Sequence, residues 1–147
     1  MSSGEMKISD ILKYSIKIEH ESMLFYKGAA GLVTEEGVKA LLAELEAEEV
    51  KHELRLAGIL DSTTDSDAEG FDRTSLDKLI QNREIPAGAD ALAVLAIALE
   101  REEHTRDFYR QVSTMTNLDA NVIDLFIMLF KQESGHVTRI KNKIEKF

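Results

Sequence analysis

Cysteine is absent from this chain of 147 residues. Its absence excludes disulfides, thiolate zinc sites, iron–sulfur centres and a thiol nucleophile. Proline occurs once and aromatic residues make up 6% of the chain. With Ala, Leu, Glu and Lys abundant, that scarcity favours helix over sheet. No apolar run approaches the roughly 18 residues a membrane-crossing helix needs, and the opening MSSGEMKISD has no apolar signal region. A soluble, cytoplasmic protein with no membrane partner is the expectation. Positive charge is in deficit too. A net charge of −9 and a pI near 4.9 argue against nucleic acid as a partner and make cations the more natural ligands.

What is present is helical periodicity. The length suits one domain, able to hide about 70% of the surface its unfolded chain exposes. From Ser9 or Asp10, either a good N-cap, residues Leu12, Ile16, Glu19, Met23, Tyr26 and Ala30 recur at steps of four and three, giving a first helix over 9–32. Thr34, Glu35 and Glu36 open a second helix over 35–60, with the seam Val38, Leu42, Leu45, Glu49, His52, Leu56 and Ile59. A third is predicted over 89–114. After the turn TNLD, a fourth over 119–146 carries Val122, Phe126, Leu129, Glu133, His136, Ile140 and Ile144 on one face. The intervening 61–88 is polar and turn-rich, with TSLDKLIQN reading as one short helix capped by Thr74.

Short turns make helices one and two, and helices three and four, antiparallel hairpins. The long middle connection is enough to travel the length of a bundle, as in ferritin-like folds. The predicted fold class is therefore all-α, a four-helix bundle of two hairpins joined by a crossover.

The fourth helix carries Glu133-Ser-Gly-His136 and the second carries Glu49-Val-Lys-His52, an identical Glu-x-x-His pattern 84 residues apart. Spacing of i to i+3 puts both side chains on one face, where a carboxylate and an imidazole can grip a cation. Shifting Glu19 by the same 84 lands on Glu103 of the third helix, which also offers Glu100 one turn earlier. The interior set is then Glu19, Glu49, His52, Glu100, Glu103, Glu133 and His136. Five buried carboxylates would cost several kcal/mol each in lost hydration, more than the roughly 5 to 15 kcal/mol by which a domain is stable. Cations must sit among them. Two divalent ions, or two trivalent ions with a bridging oxide, leave the same small negative charge, which suits a centre cycling between ferrous and ferric iron. Mixed carboxylate and imidazole ligation fits iron or manganese better than calcium or structural zinc. Gly135, between Glu133 and His136, is expected to leave room for a close neighbour.

A glutamate on each of two helices plus Glu-x-x-His on the other two is the di-iron carboxylate pattern. More narrowly, the chain resembles the rubrerythrin family through Glu19-His-Glu-Ser-Met-Leu-Phe-Tyr26, Glu49-Val-Lys-His52, Glu100-Arg-Glu-Glu103-His104-Thr105 and Glu133-Ser-Gly-His136. The resemblance implies that Glu49 and Glu133 bridge two iron ions, that Glu19 and Glu100 are terminal ligands, and that His136 binds the second iron. Glu103 and His52 would exchange at the first iron as its oxidation state changes. Tyr26 would hydrogen-bond a ligand carboxylate, while Phe108 stands where the family often has tyrosine on helix three, with Tyr109 one residue further on. His20 and His104 are expected beside the site rather than in it.

The implied activity is reduction of hydrogen peroxide by a non-haem di-iron oxidoreductase, oxo-bridged when oxidised, with manganese or zinc as substitute metals. Many family members carry a four-cysteine rubredoxin domain that supplies electrons. This chain has no cysteine for one, so an external donor such as a rubredoxin is expected. Two alternatives stay open: a ferroxidase or iron-handling protein acting with O2, and a metal-binding structural or sensing protein without turnover. Ile123 and Ile127 suggest a homodimer.

Overall fold

The first helix begins at Ile8, before either expected cap. In the computed structural model, which describes residues 5–72, 84–115 and 117–147, helix α1 spans Ile8–Leu32 and the Lys7 N–H donates to Asp10 Oδ2 at 3.0 Å. Asp10 thus caps from inside the first turn. Ser9 bonds elsewhere: its N–H and hydroxyl donate to the two Asp65 carboxylate oxygens at 3.0 and 2.9 Å.

Helix α2 spans Glu36–Ser62, and the Glu35 side chain accepts from the Gly37 and Val38 N–H groups at 3.0 and 2.7 Å. Those bonds satisfy two of the orphan donors at the helix start and hold the Glu35 carboxyl below its usual pKa. Helix α3 spans Ala91–Ser113, capped by Asp90 accepting from Ala93 N–H at 2.9 Å, and helix α4 spans Ala120–Glu145. At about 1.5 Å per residue these helices run some 35 to 40 Å.

Helices α1 and α2 pack along their lengths, as do α3 and α4. Two apolar layers then divide the interior. One gathers Ile11, Leu12, Leu56, Phe108, Phe126 and Leu129, and the other gathers Tyr26, Leu42, Leu45, Leu95 and Ile140. Each large side chain so buried contributes about 1.5–3 kcal/mol of hydrophobic stabilisation. The first layer takes residues from the start of α1 and the ends of α2 and α3, and the second takes the opposite ends. The second hairpin is therefore reached by crossing the bundle from end to end. The architecture is the expected all-α bundle with a long crossover. The short helix expected over 74–82 lies outside the described residues.

One element was not anticipated. Strand β1, Glu5–Lys7, pairs antiparallel with β2, Asp67–Asp72, placing Met6 opposite Ala68 and Lys7 opposite Asp67, with a register shift between Glu5 and Met6. Met6 and Ala68 both join the first apolar layer. The ribbon closes that end of the bundle, tied down by Ile8 N–H to Ser66 O at 2.8 Å and Asn117 Nδ2 to Asp67 O at 2.7 Å. A strand of three residues is too short to carry a periodic signal.

Candidate metal centre

Between the two apolar layers lies a layer of acids and imidazoles. Glu19, Glu49, His52, Glu102, Glu133 and His136 are each no more than 3% exposed. Their helices place them by one repeating seam. The buried residues of α1 include the seam Leu12, Ser15, Glu19, Ser22, Tyr26 and Ala29, and those of α3 the seam Leu95, Ala98, Glu102, Thr105, Tyr109 and Val112. Both sets step by three and four, so each glutamate stands mid-helix on the inward face. Helices α2 and α4 present Glu49 with His52 and Glu133 with His136 in the same way.

The structure brings together five of the seven expected ligands, Glu19, Glu49, His52, Glu133 and His136, and not the two from the third helix. Glu100 and Glu103 are half-buried and stand outside the cluster, whereas Glu102 is within it. At about 100° per residue, Glu103 points about 100° and Glu100 about 200° away from Glu102, so a seam that takes Glu102 excludes both. The Glu102 position is fixed by the Leu95–Ala98–Glu102–Thr105–Tyr109 spacing. Glu19 and Glu49 are separated by 30 positions but Glu102 and Glu133 by 31, so an offset of 84 overshoots by one on helix three. The inward residue one turn beyond Glu102 is Thr105, whose hydroxyl donates to Arg101 O at 3.0 Å. The site therefore gathers four carboxylates, not five, among the described residues, and Glu103 is not placed to exchange with His52.

Two overlapping sets of ligand atoms result. Glu19, Glu49, His52 and Glu133 form one, and Glu49, Glu102, Glu133 and His136 form the other, with the atoms of each set within 4.8 Å of one another. Glu49 and Glu133 belong to both. His52 Nδ1 lies 3.1 Å from Glu133 and 3.3 Å from Glu19, and His136 Nδ1 lies 3.3 Å from Glu49 and 3.4 Å from Glu102. Bonds of about 2.0–2.2 Å from a central ion to nitrogen or oxygen place its ligands at such mutual distances.

The donor set fits metal by a second criterion. Both oxygens of Glu49 and of Glu133, Glu19 Oε2 and His52 Nδ1 are buried with no hydrogen-bond partner among the described residues. Buried polar atoms are ordinarily satisfied, and a cation would satisfy these lone pairs together. Electrostatics agrees. Burial, then the neighbouring carboxylates, pushes Glu49 and Glu133 well above the usual carboxylate range. Burial opposes charge on His52 and His136 as well, but the surrounding acids raise both. Burial alone would push Glu102 up, yet the adjacent Glu133, His136 and Tyr26 side chains hold it down to about 2. Without metal, the cage balances its charge by holding protons.

The two outer glutamates are steadied by tyrosines in a reciprocal pattern. Tyr26 of α1 donates its hydroxyl to Glu102 Oε1 of α3, while Tyr109 of α3 donates to Glu19 Oε1 of α1 at 2.5 Å. Tyr109, not Phe108, is thus the counterpart of Tyr26. Burial, and then the adjacent acid, raises both phenols well above their usual pKa, so they stay protonated donors. His20 is exposed and contacts Glu53 at 3.0 Å, and His104 is half-buried outside the cluster. Gly135 has open space, with nothing within 4 Å of an added Cβ, so no close neighbour explains it.

A crossover four-helix bundle with a glutamate on two helices and Glu-x-x-His on the other two is a ferritin-like fold built around a buried carboxylate and histidine cluster. The chain belongs to the rubrerythrin family, whose family model matches residues 10–144. A hypothetical protein from Pyrococcus furiosus has a similar structure, with a TM-score of 0.65 and 21% identity over 93% of this chain and 87% of that one. No curated protein matches the chain significantly. Among the described residues, no helix is long and apolar enough to cross a membrane.

Proposed function

We propose that the chain is a di-iron oxidoreductase that reduces hydrogen peroxide to water with electrons from a separate protein. The observation that carries this reading is the pair of ligand sets sharing Glu49 and Glu133, which suits two ions held side by side in an interior shielded from bulk solvent. Iron bound there supplies two electrons and Lewis acidity. The side chains do the rest. Glu49 and Glu133 fix the separation of the two positions. Glu19 with His52 and Glu102 with His136 complete each one, and Tyr26 and Tyr109 orient the outer carboxylates. The apolar layers above and below restrict the site to a small oxidant. Peroxide reduction consumes two electrons and two protons per molecule. None of these 147 residues is a cysteine, so they offer no four-cysteine iron site, and the proposed electrons enter from outside this bundle.

The four-carboxylate count favours a second reading. Four carboxylates are just neutralised by two ferrous ions, without the residual negative charge that a fifth would add to retain them. That balance suits a ferroxidase in which iron is the substrate and moves on. Anaerobic, ferrous-loaded protein titrated separately with peroxide and with O2 discriminates the two. Rapid stoichiometric oxidation by peroxide, slow oxidation by O2 and retained iron are the results expected of the first. Rapid O2 consumption with iron released or mineralised would replace it with the second.

A further inference from the structure

The two halves of the site share a ligand pattern but not their outer support. Each imidazole faces the cluster through Nδ1 and turns Nε2 toward the facing hairpin. His52 Nε2 hydrogen-bonds Gln132 Oε1 of α4, whereas His136 Nε2 makes no hydrogen bond among the described residues and faces the Glu48 carboxylate of α2, with Oε2 3.6 Å away. Glu48 and Gln132 are themselves 84 residues apart and each directly precedes its Glu-x-x-His glutamate. They are equivalent positions carrying different chemistry.

The difference bears on metal binding. An imidazole that gives its Nδ1 lone pair to a cation keeps its proton on Nε2, and the group facing that proton tunes the ligand. A carboxylate charge facing the N–H makes the ring the stronger donor, whereas a neutral amide oxygen does so less. Glu48 is also held in place: Arg139 donates through Nη1 to Glu48 Oε2 at 2.8 Å and through Nη2 to Glu44 Oε2 at 2.5 Å. That group of three retains a net negative charge behind His136, while Gln132 puts none behind His52. All three are partly exposed, so screening weakens the long-range part of the effect and leaves the short-range attraction between the Glu48 carboxylate and the buried His136 N–H.

We infer that the two metal positions are unequal by construction, Glu48 and Gln132 acting as positioning residues that make the Glu102–His136 position fill before the Glu19–His52 position. This rests on the reading that the cluster holds two ions. The test is calorimetric and optical titration of metal-free protein with Co2+ in the wild type, Glu48→Gln, Gln132→Glu and the double exchange. Neither residue is a ligand, so every form should bind two ions. Outer partners of this kind change affinity by about 10- to 100-fold. The first step should weaken about tenfold in Glu48→Gln with the second nearly unchanged, the second should tighten about tenfold in Gln132→Glu, and the double exchange should restore the separation between steps. A gain of affinity in Gln132→Glu cannot come from simple loss of structure. Two ions bound with both steps within twofold of wild type in both single variants would overturn the inference and leave the two-metal reading standing. Weakening of the second step in Glu48→Gln would reverse the order. Failure of the wild type to bind two ions would overturn both.

Discussion

Removing metal should make the fold sensitive to pH in one direction. Glu49 and Glu133 carry raised pKa values because burial and the neighbouring carboxylates disfavour their charged forms. A group whose folded pKa is raised contributes stability below its unfolded pKa and loses it as pH rises through the folded value. For the two acids that loss begins above pH 4.5, and for His52 and His136, raised by the same acids, above pH 6.5. The acids act from pH 4.5 upward, and the histidines add to the loss above pH 6.5. Glu102, held down to about 2, acts oppositely, losing its contribution only as pH falls below 4.5 toward that value. Metal replaces the protons. Each ion at about 100-fold over its dissociation constant adds about 2.7 kcal/mol, or about 5 kcal/mol for two. At about 2–4 °C per kcal/mol for a chain of this size, loading raises Tm by roughly 10–20 °C. The assay is thermal unfolding followed by circular dichroism, with and without Fe2+ under anaerobic conditions, from pH 5 to 9. Metal-free Tm should fall as pH rises, the gap to the loaded protein should widen, and Glu133→Gln should flatten the metal-free slope. A metal-free Tm that is level or rising over that range would refute the electrostatic account of the cage.

Three further outcomes separate the site from its surroundings. Glu102→Ala should lower metal stoichiometry from two toward one, while Glu100→Ala and Glu103→Ala leave two ions bound, as measured by metal analysis after equilibrium dialysis. Tyr109→Phe removes only the hydroxyl given to Glu19 and should weaken ion binding by about 10- to 100-fold with the helical circular dichroism unchanged; Tyr26→Phe should act similarly through Glu102. Gly135→Ala meets open space, so it should raise stability by about 0.5–1 kcal/mol in denaturant unfolding without altering metal content.

The bundle was legible because four long amphipathic runs and one long polar connection leave few alternatives. The duplicated Glu-x-x-His was equally plain, since Glu49, His52, Glu133 and His136 keep their spacing inside straight helices. Helix three was misread because it presents Glu100, Glu102 and Glu103 within one turn, and an offset of 84 borrowed from the other helix pair points to Glu103. The resolving signal was present: Glu19 precedes Tyr26 by seven residues and Glu102 precedes Tyr109 by seven, so this pair of helices repeats at 83. The inward face of α1 was blurred for a related reason. Ser15, Ser22 and Ala29 are buried, and small or hydroxylated residues on a seam do not register as apolar; bulkier Ile16 and Met23 drew the face around by one position. The β1–β2 ribbon depends on the chain after α2 returning to meet residues 5–7, a tertiary event with no local pattern.

Electron density from an iron-loaded crystal, with anomalous scattering at the iron edge, tests the central claim most directly. Two peaks should appear, both bridged by Glu49 and Glu133, one completed by Glu19 and His52 and the other by Glu102 and His136. No peak within this cage, or ligation by Glu100 or Glu103 in place of Glu102, would contradict it.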